Sequence, residues 1–155
     1  MNLESIAHLA EIASSIAVIV SLIYVGLQVR QNTRALMATT YNAVTANSVA
    51  ILSPMYTDPE FTAFLERMQA APDAGTSADK LRFHMLLLTA FRHWDNLHYQ
   101  FRNGTLDPEM WRCYDRTMTR WFENAAWRAW FRANADSFSS SLRELVRERL
   151  DAPMA

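Results

Sequence analysis

A chain of 155 residues, 50% hydrophobic and 20% charged, holds enough apolar material for a folded core and is not a disordered tail. Its formal net charge of −1 excludes bulk attraction to nucleic acid. A lone cysteine, Cys113, excludes an intrachain disulfide and fits a reducing compartment.

The run from Ile12 to Val29, IASSIAVIVSLIYVGLQV, carries no charge and ends at Arg30. As a helix it covers about 27 Å, close to the hydrocarbon thickness of a bilayer. The residues before it include Glu4 and Glu11 but no lysine or arginine, and Arg30 and Arg34 follow it. That flank pattern is not a cleaved signal peptide, and by the positive-inside rule it leaves the N-terminus outside and the rest cytoplasmic. The alternative is a buried core helix, which an all-round apolar surface argues against in a small domain.

Within the run Ala13, Ala17 and Ser21 fall four apart, flanked by Ala10 and Ser14. Small residues at this spacing let membrane helices approach closely, so the stripe is a candidate interface for a homo-oligomer or a membrane complex. A pore lined by Ser14, Ser15 and Ser21 is a weaker alternative, because nothing ionisable would set its selectivity. No proline and only Gly26 interrupt Leu3 to Ser53, so one long helix is expected to leave the membrane, with a bend near Gln31 to Arg34. Ser53-Pro54 is expected to end it. Residues 1–34 form the anchor and juxtamembrane segment, and 35–155 a helical bundle.

Asp58-Pro59-Glu60 reads as an N-cap, a proline at the first helical position and an early acid, starting a helix that runs to about Ala70. Thr76-Ser77-Ala78-Asp79 is a capping box for a helix from Ala78 to about Arg102, stopped by Asn103-Gly104. Asp107-Pro108-Glu109 repeats the earlier start. The helix it opens has Met110, Trp111, Tyr114, Met118, Trp121 and Phe122 on one face. A Trp-rich helix, Ala125 to Ala135, follows. Ser139 to Ser141 cap a last helix with Leu142, Leu145, Val146 and Leu150 inside. The fold is all-α, one transmembrane helix continuing into a small cytoplasmic bundle.

Chemistry is sparse. Arg92, Asp95, Asn96, His98, Tyr99 and Gln100 form a polar seam that fixes register between helices or lines a small-molecule or metal pocket. The metal reading is weak, since His84 would sit about 16 Å along the axis from Asp95 and no HxxxH or ExxH pair occurs. Arg112, Arg116 and Arg120 form a basic ladder that faces water or, with the tryptophans, anionic lipid. Arg128 and Arg132 repeat its spacing. Cys113 reads as a buried packing thiol. No nucleophile elbow or phosphate-cradling glycine loop is present, so no catalytic residue, metal or cofactor is assigned.

The stretches EIASSIAVIVSLIYVGLQVRQNTRAL and WDNLHYQFRNGTLDPEMW resemble an uncharacterised family of bacterial single-span, membrane-anchored, all-helical proteins. Its apolar run closes in a Gln-x-Arg-Gln-Asn-Thr-Arg sequence, matched here by Gln28, Arg30, Gln31, Asn32, Thr33 and Arg34. The resemblance implies a bacterial inner-membrane location, juxtamembrane placement of those residues and no particular activity. The expectation is a non-enzymatic protein that self-associates or serves as an accessory subunit.

Overall fold

The computed structural model describes the backbone of residues 3–151 and the side chains of 7–8 and 11–149. Among these, six α-helices occur and no strand: α1 (Leu3–Thr57), α2 (Pro59–Ala70), α3 (Ser77–Arg102), α4 (Pro108–Trp121), α5 (Ala125–Asn134) and α6 (Ser140–Asp151). The chain divides into two compact units, Met1–Thr39 and Thr40–Ala155.

The first unit is the N-terminal part of α1. From Ile12 to Val29 its large apolar side chains are exposed on every side, from Leu27 at 53% to Leu22 at 67%. The hydroxyls fold back onto the helix: Ser15 donates to the Glu11 carbonyl at 2.9 Å and Ser21 to that of Ala17 at 2.8 Å. Such bonds satisfy a polar group without any outside partner.

In the second unit the helix boundaries follow local chemistry. The Asp58 carboxylate accepts from the Glu60 and Phe61 amides, and Asp107 repeats this with Glu109 and Met110. Each satisfies amides that a first turn leaves unpaired. Thr76 and Asp79 close the capping box of α3, and Asp79, whose carboxyl is held below its ordinary range by the Thr76 hydroxyl and amide, completes it. At the other end of α3, Gly104 adopts φ +70°, a left-handed conformation that residues with side chains rarely adopt.

The last helix takes Ser139 as its cap, one of the residues expected there. One boundary differs from expectation: α1 passes through Pro54 to Thr57 instead of stopping at Ser53. Pro54 removes one backbone donor near the helix end, and nearby hydroxyls take up carbonyls there. Thr57 donates to the Ser53 carbonyl at 2.7 Å and Thr62 to that of Met55 at 2.6 Å.

The core is built around α3, whose buried Phe83, Leu87, Ala90, Phe91, Trp94 and Leu97 recur at helical spacing. Helices α2, α4, α5 and α6 all pack on it or on one another. The α2 stripe Phe61, Phe64, Leu65, Met68 and the α6 pair Leu142 and Val146 close the core, while Leu145 is partly buried. Leu150 lies outside the described side chains. Phe91 is fully buried and meets six aromatic rings, the nearest being Phe131 at 4.9 Å between centroids.

Candidate functional site

A polar cluster that joins three helices of the second unit centres on Ser48 of α1. Its hydroxyl lies 2.9 Å from His93 Nε2 of α3 and 2.7 Å from Tyr114 Oη of α4, and 2.9 Å from the Val44 carbonyl. Ser48 has a single proton to donate. If it donates to Val44, then Tyr114 and a His93 protonated at Nε2 both donate to Ser48, and every group is satisfied. Val44 beside it is buried, so an apolar contact and a polar one hold this part of α1 together.

The cluster lines a cavity of about 40 Å³ with Ile51, Leu52, Ala90, Trp94, Thr117 and Trp121. A cavity this size accepts a water-sized molecule. A serine within hydrogen-bond reach of a histidine is half of a nucleophilic triad. No carboxylate among the described residues bonds the other nitrogen of His93, so the geometry stops short of a triad. Burial pushes the His93 imidazole below its ordinary value, which keeps it neutral at pH 7.

Removing the hub should be costly. Ser48→Ala leaves the Tyr114 hydroxyl and the His93 nitrogen without their shared partner, and is expected to destabilise the second unit by about 1–3 kcal/mol in a denaturant titration. A change below a few tenths of a kcal/mol would show that the cluster is ornamental.

The polar seam does not form a single array. Asp95 accepts from the Ser139 amide at 3.0 Å and from the Ser139 hydroxyl, and that hydroxyl caps the Leu142 amide at 3.1 Å. Asp95 thus ties the start of α6 to α3. Arg92 lies over the Phe138 ring at 5.4 Å. His98 stacks on Trp111, with centroids 5.2 Å apart. Its Nδ1 is buried without a hydrogen-bond partner among the described residues. Asn96 and Tyr99 are exposed, and the Gln100 carbonyl accepts from Thr105 and Leu106 at the end of α3. His84, further along α3, accepts from Trp130 Nε1 at 3.2 Å. Among the described residues no group of His, Cys, Asp or Glu is placed to hold a metal ion.

Burial also lowers the His98 imidazole, with Arg102 adding to it and Asp95 and Asp115 opposing. An unfolded histidine titrates near its ordinary 6.5. Between that value and the lower folded values the unfolded chain binds more protons. Stability is therefore full above the unfolded value and falls as pH drops through this window. Denaturation at pH 8 and at pH 5 should show the lower stability at pH 5, and His93→Gln should flatten part of the difference. An equal or greater stability at pH 5 would contradict the assignment.

Cys113 corrects the expectation of a buried thiol, because it is exposed. It sits two residues, hence about 200° of helix, beyond the buried Trp111, and so points away from the core. Arg112, Arg116 and Arg120 are exposed along α4. The tryptophans do not flank them at the surface: Trp111 and Trp127 are buried, and Trp121 and Trp130 pack against the core. Arg128 instead caps the end of α4, donating to the Phe122 carbonyl and to that of Glu123 at 3.0 Å.

In the first unit Ala13, Ser14, Ala17 and Ser21 are exposed, and Ala10 lies outside the described side chains. Arg30, Gln31, Asn32 and Arg34 are exposed too, and Gln28 donates to Tyr24 Oη at 2.7 Å. Sequence reasoning missed Ser48, His93 and Tyr114 as a group, since 45 and 66 residues separate Ser48 from its partners. Against known proteins, no family model, no curated protein and no solved structure matches the chain.

Proposed function

We propose that this is a non-enzymatic bacterial inner-membrane protein, anchored by Ile12 to Val29 with its N-terminus outside and its helical bundle in the cytoplasm. It self-associates or serves as an accessory subunit of a larger membrane complex. The observation that supports this most is the charge-free stretch of α1, of which 0% is buried within the chain. A helix apolar on all faces is a liability in water and a natural guest of lipid, where each Leu, Ile or Val contributes about 0.3–0.6 kcal/mol to insertion. Glu11 before it and Arg30 and Arg34 after it support the orientation. The resemblance carried by Gln28 to Arg34 supports the bacterial source.

The small-residue stripe Ala13, Ala17, Ser21 supports assembly through the span. Alkaline extraction followed by sizing in mild detergent tests both parts. The protein should stay in the membrane pellet at full-length mass and migrate as an oligomer or with a co-purifying partner, and Ala17→Leu should weaken that assembly. Release into the alkaline supernatant, or a mass shortened after the apolar run, would remove the anchor. A strictly monomeric particle without a partner would remove the assembly.

A further inference from the structure

The facing surfaces of α5 and α6 enclose a cleft of about 380 Å³ lined by Arg132, Arg143 and Arg147. Its floor is apolar, from Phe131, Ala135 and Val146. Asp136 is the one acid in the lining, and its carboxylate is engaged by Arg143 at 2.9 Å. Arg132 and Arg147 have no hydrogen bond or ion pair among the described residues, and Glu144 and Glu148, also on α6, do not line the cleft. Three guanidinium groups against one carboxylate leave the lining with an excess of two positive charges. Arg143 and Arg147 stand one turn apart, where like charges repel, and Arg132 of α5 adds a third from the other wall.

We propose that this cleft binds the phosphate group of an anionic ligand, a phosphate monoester in its dianionic form. A dianion matches the charge excess, and the planar fork of each arginine matches paired phosphate oxygens. The apolar floor accommodates hydrocarbon attached to that phosphate. Two sources share this chemistry, a lipid headgroup and a soluble phosphate ester. The inference does not rest on the membrane span.

Calorimetry on the full-length protein in a neutral maltoside detergent tests it. The probes are inorganic phosphate and short-chain phosphatidic acid, with sodium chloride at matched ionic strength and short-chain phosphatidylcholine as controls. Saturable binding of both phosphate probes above the controls is expected. Phosphatidic acid binding about tenfold or more tighter assigns the site to a lipid headgroup, and equal affinities assign it to a soluble phosphate. Arg132→Gln with Arg147→Gln should weaken binding about tenfold or more, the loss expected of charged hydrogen bonds. Asp136→Asn should tighten it, and Arg112→Gln with Arg116→Gln should leave it unchanged. No binding above the salt control, or equal weakening by the α4 pair, would overturn the proposal.

Discussion

Phe91→Ala is expected to destabilise the helical bundle by about 3–5 kcal/mol, the range for a large aromatic removed from a packed core. Phe91 has no exposed surface. Its ring stacks on Trp130 at 5.6 Å with 7° between planes, and it also meets Trp94, Phe122, Trp127, Phe131 and Phe138. Those rings come from α3, the residue capping the end of α4, α5 and the segment before α6, so no single helix can close the gap by shifting. The loss is comparable with the whole stability of a small domain, about 5–15 kcal/mol. Denaturant unfolding followed by tryptophan fluorescence measures it. Leu81→Ala, at a position 63% exposed, is the control and should stay within about 0.5 kcal/mol of the parent. A Phe91→Ala loss under about 1 kcal/mol would mean that the aromatic cluster is not the core it looks like.

Val20→Arg addresses the other unit. Val20 lies near the middle of the charge-free stretch and is 59% exposed, so the substitution breaks no packing within the chain. In a membrane it puts a guanidinium at the bilayer centre, at a cost of about 2.5–3.5 kcal/mol in place of a small gain. That swing is roughly two orders of magnitude in the insertion equilibrium. The variant should shift from the membrane fraction to the soluble fraction or be degraded. Leu36→Arg, beyond Arg34 and also exposed, at 52%, should leave partitioning unchanged. If α1 were instead a core helix exposed only in the isolated chain, both variants would behave alike.

Local chemistry made most of the fold readable. The two Asp-Pro-Glu starts, the Thr76 capping box and the Asn103-Gly104 stop are signals a few residues long, and each sits where the backbone turns. Pro54 misled because proline excludes a helix interior more strongly than a last turn, where Thr57 and Thr62 take up carbonyls. Cys113 misled because a neighbour of an apolar face is still rotated away from it. The polar cluster was not readable at all. Ser48 sits among small residues in a long uniform helix, and nothing near it in the chain announces His93 or Tyr114. Long-range polar contacts depend on which helix faces pack, and a single sequence does not state that. Asp95 was noticed as part of a helix face, yet its partner Ser139 is 44 residues away and belongs to a different cap.

The accessible thiol of Cys113 gives the most direct test of the anchored, inward-facing arrangement. It is the only cysteine and it is exposed, so it reports which side of the membrane the bundle occupies. With a membrane-impermeant maleimide on intact spheroplasts, the account predicts no labelling of Cys113 until the membrane is opened. A companion variant, Cys113→Ser with Ala7→Cys, should label before opening. Labelling of Cys113 in intact spheroplasts, or its recovery in the soluble fraction, would contradict the arrangement.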